Sequence, residues 1–483
     1  MKTFVAFVLV LTSHLSFSQA GYKIDFKVKG WKDTVVWLGS YYKGATYIKD
    51  TARVDKDGAF TFESSKSLEQ GVYFLVKKTG QNNIRVFEFV IGHNQKFGLE
   101  TAAPDYVLQM KVKGDDDNKL FFENINFSIE RGKEAQPFIS ILRDSTVKED
   151  QKKAAHEGYS RISEKVMKYQ RDLIAKNPST VTARMLNVFL PIVVPDPPKK
   201  ANGNIDSTFQ LRYYQQHYFD NFDLSDDLLF RLPQFLYKER IKEYLEKITA
   251  PQPDSVTKAV KFMVAKTKKN QEAFGFVVWN SLIMYQLPEI MGLDEVFVNL
   301  YDLYFANGEM DFMTPATSKE QFKNWADKVR SSMIGRKGSN LIMLDENLQP
   351  RSMYDIKEKY TILFIFLPSC SHCRAETPKL LQFYNENKTK LNLQVFAVAT
   401  DSSMKQMREF IKEFKTPWIT VNGPRSYNKV HFTRLYHFDT TPMIYVLDEK
   451  KNIIAKKLEA AQLEGFLTRH EKMVQTKKAK TGP

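Results

Sequence analysis

The hydrophobic pattern changes twice along the 483 residues, and each change restricts the fold. From Gly21 to Val112, apolar and polar residues alternate with a period of two in short runs such as VVWLGSYY and IRVFEFVIG. These runs are rich in β-branched and aromatic side chains, which is typical of strands with one buried face. Several such strands in succession predict an N-terminal all-β domain over residues 21–112, built as a small antiparallel sandwich.

Between residues 113 and 337 the apolar residues recur with helical spacing. One group of side chains would share a single helix face: Tyr237, Ile241, Tyr244, Leu245 and Ile248. The apolar segment EAFGFVVWNSLIMYQL is too short to cross a membrane as a helix. We therefore expect a central all-α domain over residues 113–337, with its tyrosine and methionine stripes in the core.

From residue 338 onward, strands and helices alternate. The apolar runs TILFIF and LNLQVFAVAT are separated by the amphipathic segment CRAETPKLLQFYNEN. Buried strands between amphipathic helices predict a βαβ unit and a mixed sheet covered on both faces. We expect this α/β domain to occupy residues 338–473. The basic residues 474–483 that follow have a composition that predicts a disordered tail.

The first 20 residues have the features of a secretory signal. MKTFVAFVLVLTSHLSFSQA contains a lysine, an apolar run and then small residues at Ser18 and Ala20, which predicts cleavage after Ala20. The apolar run is too short for a retained anchor, and no cysteine follows that could carry a lipid. We expect export to the periplasm and no stable membrane span, and an uncleaved anchor is the alternative.

The net charge of +15 comes from 71 basic and 56 acidic residues. Because the lysines are spread along the chain among the acids, the charge is better explained by a solvated surface than by a nucleic-acid-binding stripe. We therefore expect no nucleic-acid partner.

Cys370 and Cys373, the only cysteines of the chain, lie in FLPSCSHCRAETP. A crosslink between residues three apart closes too small a loop to stabilise the fold much. A structural zinc site would need more ligands, and the chain has no second cysteine pair, although His372, His431 and His437 could approach by folding. Covalent haem attachment needs a histidine where Arg374 stands. A redox pair is the favoured interpretation, with no metal and no cofactor, and a peroxidatic cysteine is an alternative.

The two cysteines should differ in reactivity. Cys370 follows an apolar strand and begins a helix, where unpaired backbone amides and the helix dipole favour the thiolate. A lowered thiol pKa is what makes a cysteine a nucleophile at neutral pH. Cys373 lies one turn further along, shielded but near the first sulfur, as suits a resolving thiol.

These motifs make residues 338–473 resemble the thioredoxin-fold domain of the TlpA/ResA-like group of exported thiol-disulfide oxidoreductases. The likeness rests on a strand, the C-x-x-C pair, and a helix with Pro378 five residues after the second cysteine. The segment TTPMIYVLD matches the cis-proline loop of the family, which makes Pro442 the candidate, preceded by Thr441. The resemblance implies that Thr441 and Pro442 face the cysteines and pair with the substrate backbone.

The resemblance also implies two auxiliary residues. Glu376 lies one turn after Cys373, where a glutamate in this group manages protons at the buried thiol. The alternative is an ordinary first-turn glutamate that complements the helix dipole. His372 is expected to tune the redox potential by stabilising the Cys370 thiolate.

Upstream, the order of a β-rich domain of unknown function, a helical domain of unknown function and a redoxin domain resembles exported proteins of Bacteroidota. The implied activity is exchange of disulfides with protein disulfide or dithiol substrates, together with a periplasmic or membrane-bound redox partner. The direction of electron flow stays open. Two alternatives also stay open: an envelope binding or scaffold protein with a redox-inactive thioredoxin-like domain, and a thiol peroxidase.

Overall fold

The computed structural model describes residues 21–80, 82–267, 269–423, 427 and 430–481. The predicted signal sequence over residues 1–20 lies outside the described residues, as do the last two residues of the predicted tail. The chain divides into two compact units, Met1–Arg240 and Ile241–Pro483. The helical region that we expected to be one domain is therefore shared between them, because helical periodicity shows which face is buried but not which neighbour buries it.

The first unit begins with a β-rich domain. Its strands are β1 Tyr22–Lys29, β2 Val35–Tyr42, β3 Ala45–Arg53, β4 Ala59–Ser64, β5 Gly71–Thr79, β6 Asn82–Ile91, β7 Lys96–Ala102 and β8 Lys111–Lys113. They form two four-stranded sheets, in the orders β4-β1-β7-β8 and β3-β2-β5-β6. Alternate residues of β1 are buried, and Phe26 packs against Phe89 of the other sheet, with ring centroids 5.5 Å apart. The prediction of an all-β domain is confirmed.

One feature of the predicted sandwich is wrong. Strands β1 and β7 pair in parallel, so the sheets are not purely antiparallel. Residue alternation reports which face of a strand is buried, but it carries no information about the direction of a partner that is distant in sequence.

The predicted helical region is confirmed as helical. Its helices are α1 Asp116–Arg143, α2 Glu149–Lys176, α3 Val181–Asn187, α4 Phe209–His217, α5 Leu236–Glu243, α6 Pro253–Thr267, α7 Gln271–Met284, α8 Asp294–Leu300 and α9 Ala316–Arg330. Tyr237, Ile241 and Leu245 are all buried, as their spacing predicts. Within the described residues, no helix is both long enough and apolar enough to cross a bilayer.

The second unit contains a seven-stranded mixed sheet in the order β10-β9-β13-β12-β11-β14-β15. The strands are β9 Ile342–Asp345, β10 Pro350–Ser352, β11 Tyr360–Phe366, β12 Leu393–Ala399, β13 Ile419–Asn422, β14 Met443–Leu447 and β15 Ile453–Lys456. The helices are α10 Ser371–Asn387, α11 Met404–Phe414 and α12 Ala460–Thr481. Strand β11 pairs in parallel with β12 and antiparallel with β14, and all of its residues are buried. The α/β prediction for this domain is confirmed.

The last helix differs from expectation at its end. Helix α12 continues to Thr481, so the stretch from Val474 to Thr481 is helical where we expected a disordered tail. Glutamine, lysine and alanine, which dominate this stretch, are good helix formers. Adding residues to an existing helix avoids the cost of a new nucleus, so a helix can extend where a separate tail would stay disordered.

Candidate active site

Cys370 lies between the end of the central strand and the start of a helix. Strand β11 ends at Phe366, and Cys370 is the N-cap residue of α10, with an extended backbone and a partly exposed side chain. The backbone amide of Cys373 donates a hydrogen bond to the Cys370 sulfur and lowers the pKa of that thiol, with a smaller contribution from the amide of His372. The helix start therefore favours the charged form of an accessible sulfur.

Cys373 has the opposite environment. Its side chain is fully buried in a cluster that includes Phe364, Phe366 and Leu380, and this burial raises the pKa of its thiol to about 11. The Leu367 amide donates to its sulfur over 3.4 Å. The two thiols therefore differ strongly in acidity and in access.

The loop before β14 lies opposite Cys370. The Thr441–Pro442 peptide bond is cis, in agreement with the sequence prediction. The Cys370 thiol donates to the Thr441 carbonyl oxygen over 3.7 Å. His372, Thr441 and Pro442 line a cleft of about 600 Å³ beside the cysteines. This geometry places Thr441 and Pro442 close to the reactive sulfur. Their role in substrate binding stays a prediction.

Glu376 is buried, and its carboxylate contacts groups other than a thiol. One oxygen accepts from the backbone amide of Ala460, the first residue of α12, over 2.5 Å, and the other accepts from the Lys379 ammonium over 3.0 Å. No hydrogen bond joins Glu376 to either cysteine in the described part of the chain. The structure thus shows a contact that neither sequence interpretation anticipated, at the N-terminus of a different helix. The proton-transfer role stays a prediction.

The imidazole of His372 is exposed, and the group of this residue that reaches the Cys370 sulfur is its backbone amide. The other histidines considered as metal ligands have different contacts: His431 bonds to Thr433, and His437 to Asp439. Among the residues that the structure describes, no three His, Cys, Asp or Glu side chains cluster as a metal site would require.

Sequence reasoning missed Arg374 as a contributor to the site. Its guanidinium donates to the Pro368 carbonyl over 3.3 Å, pairs with Glu413 and lies 5.3 Å from the Phe414 ring centroid. These contacts tie the turn before Cys370 to helix α11. Nothing local in the sequence reveals the contacts with α11, because Glu413 lies 39 residues from Arg374 along the chain.

The central strand of the mixed sheet is followed by a C-x-x-C pair at the start of a helix. The two thiols differ in pKa, and Cys370 faces the cis-proline loop. These features define a dithiol domain of the thioredoxin fold. The family model described as thioredoxin-like matches residues 358–454. The C-terminal part of the chain therefore contains a domain of the thioredoxin-like family. Models of two domains of unknown function match residues 22–121 and 173–328, which confirms the expected upstream arrangement.

Solved structures similar to this chain come from several bacteria. A domain of a "possible thiol-disulfide isomerase" from Cytophaga hutchinsonii is 37% identical over 30% of this chain and 97% of its own, with a TM-score of 0.28. A thiol:disulfide interchange protein from a Bacteroides species is 29% identical over 30% and 92%, with a TM-score of 0.26. A thioredoxin-like protein from Bacteroides caccae is 17% identical over 58% and 100%, with a TM-score of 0.45. The comparison with curated proteins finds no match.

Proposed function

We propose that this protein is an exported thiol-disulfide oxidoreductase that exchanges disulfides with protein substrates through Cys370 and Cys373. The observation that carries the proposal is the pairing of an accessible thiol of lowered pKa with a buried thiol of raised pKa, opposite cis Pro442. A nucleophile whose thiol pKa is lowered and a resolving thiol that stays protonated until it attacks are what stepwise exchange requires.

In the direction of substrate reduction, the Cys370 thiolate attacks one sulfur of the substrate disulfide. A bond forms between Cys370 and that sulfur, the substrate disulfide breaks, and the departing thiolate takes a proton. Cys373 then loses its proton and attacks the Cys370 sulfur, which forms the Cys370–Cys373 disulfide and releases the second substrate thiol. The substrate gains two electrons, and an external dithiol must return two electrons to the protein.

The neighbouring residues have separate roles in this proposal. The Thr441 and Pro442 backbone aligns the substrate chain, and Glu376 accepts the Cys373 proton after it is released from its present contacts. His372 stabilises the thiolate and so raises the potential. The predicted signal sequence supports a periplasmic location, where a membrane-bound or periplasmic partner would exchange electrons with the domain.

Reduction of insulin disulfides by dithiothreitol tests the proposal. We expect Cys370→Ser to abolish the catalysed rate and Cys373→Ser to accumulate a mixed disulfide between Cys370 and insulin. Ser369→Ala, at the exposed neighbouring position, should leave the rate unchanged. Full activity in either cysteine variant would refute the assignment.

The same preparations separate the rival functions. A scaffold protein would show no insulin turnover and a Cys370 thiol with the unperturbed pKa of about 8.5. A peroxidase would consume hydrogen peroxide and form sulfenic acid at Cys370. The equilibrium potential of the cysteine pair against glutathione then distinguishes a reductant from an oxidant.

A further inference from the structure

The segment before the cis bond, residues 437–441, is bonded to the helical part of its own unit. Ser332, just after α9, is fully buried, and its hydroxyl oxygen accepts from the His437 amide over 3.0 Å. The same oxygen lies 3.1 Å from the hydroxyl of Tyr445, which donates to the His437 carbonyl. Both backbone polar groups of His437 are therefore satisfied through one short chain of buried hydroxyls.

The side chains of the segment extend this attachment toward the cleft. The His437 ring is buried edge-on against Trp325 of α9, with centroids 4.9 Å apart, and its Nε2 lies 3.1 Å from an Asp439 carboxylate oxygen. Asp439 lines the cleft beside Thr441 and lies 3.5 Å from the Lys457 ammonium. The contacts with α9 therefore lie only a few residues along the chain from the Thr441–Pro442 peptide, which faces Cys370.

Ser332 is itself held in place by a buried ion pair. The Lys456 ammonium at the end of β15 contacts an Asp294 carboxylate oxygen at 2.5 Å and donates to the Ser332 carbonyl over 3.1 Å. Because Asp294 begins α8, this pair joins the helical segment to the edge of the sheet. A rigid support of this kind is what a precisely placed recognition backbone requires.

We propose that Ser332 is a positioning residue for disulfide exchange, and this inference rests on the proposed function. Through His437 and Tyr445 it fixes the orientation of the Thr441 carbonyl, and thereby how a polypeptide disulfide is aligned over the Cys370 sulfur. A substrate that pairs with this backbone depends on the hydrogen bonds of Ser332 and Tyr445 to His437, which we call the anchor. A small disulfide, which needs contact only with the Cys370 sulfur, does not depend on the anchor.

Two substitutions test the role of the anchor. Ser332→Ala removes the shared hydroxyl, and Tyr445→Phe removes only the second hydroxyl while it keeps the packed ring. In each variant we expect kcat/KM for insulin reduction to fall about fivefold to tenfold, mainly through KM, because buried backbone groups lose a partner. Turnover of glutathione disulfide should change by less than about twofold. The effects of the two substitutions on kcat/KM should also be non-additive, because the two hydroxyls belong to one series of hydrogen bonds.

Matched controls exist next to both positions. Ser331→Ala removes an exposed hydroxyl that donates to the Lys328 carbonyl, and Tyr436→Phe removes a buried hydroxyl that donates to the Ser339 carbonyl. Both controls should keep wild-type insulin kinetics. If they lose as much as the test variants, or if insulin and glutathione disulfide turnover fall equally, the positioning role is wrong.

Hydrogen exchange provides a readout that does not depend on activity. Amides of residues 437–441 should exchange about tenfold faster in Ser332→Ala and Tyr445→Phe than in the controls. Unchanged protection of these amides would overturn the proposed anchor. Faster exchange combined with no insulin turnover by the wild-type protein would instead support the anchor and reject the oxidoreductase function.

Discussion

Removing one charge of the ion pair between Asp294 and Lys456 should cost much stability, because both side chains are almost fully buried and the remaining charge would lose its partner. Their side chains are 5% and 2% exposed, and the charged atoms are 2.5 Å apart. Asp294→Asn leaves a buried ammonium whose other partner in the described structure is the Ser332 carbonyl. Removing one member of a buried pair costs about 3–5 kcal/mol. We expect about 3 kcal/mol, at the lower end, because the asparagine oxygen can still accept a hydrogen bond.

The assay is urea unfolding of the reduced protein, followed by circular dichroism and by tryptophan fluorescence. Asp327→Asn is the control, because Asp327 forms an exposed pair with Lys323 in α9 and should cost less than about 0.5 kcal/mol. The double variant Asp294→Leu with Lys456→Met should recover to within about 1 kcal/mol of wild type, since neither charge remains buried. A cost below about 1 kcal/mol for Asp294→Asn would refute the reasoning.

Two further predictions concern the redox site. In the folded reduced protein Cys373 keeps its proton up to a pKa of about 11, whereas in the unfolded chain it loses the proton near about 8.5. The free energy of unfolding should therefore fall by about 2–3 kcal/mol as the pH rises from about 8.5 to about 11. Urea titrations at several pH values measure this fall. The Cys373→Ala variant should lack this part of the pH dependence. Glu376→Gln should slow the resolution of the mixed disulfide severalfold in rapid-quench measurements, while Lys379→Gln, which leaves the carboxylate in place, should not. Equal effects of the two substitutions would assign Glu376 a purely structural role.

Short-range signals were enough to predict the reactive part of the molecule. Cys370 follows a buried apolar run and precedes an amphipathic one, so its place at a helix start follows from neighbours along the chain. The spacing to Cys373 is equally local, whereas the cis bond at Pro442 is expected only from the resemblance of TTPMIYVLD to the family's cis-proline loop. For this reason the α/β domain and the positions of the two cysteines could be anticipated from local patterns, and the cis peptide bond from the resemblance.

Long-range partners could not be predicted in this way. Glu376 meets an amide 84 residues away, and Ser332 meets one 105 residues away. Each residue looks like an ordinary helical or loop residue in its own neighbourhood. Their contacts depend on how whole elements pack, as does the parallel pairing of β1 with β7, and no periodicity in a single sequence encodes such packing.

The most direct test of the account is the pH dependence of alkylation of the two cysteines in the reduced protein, with each site quantified by mass spectrometry. We predict that Cys370 reacts at lower pH than an ordinary thiol, because the backbone amide of Cys373 lowers its pKa, while Cys373 reacts only as the pH approaches about 11. Equal reactivity of the two thiols, or a Cys370 pKa at or above the unperturbed value, would contradict it.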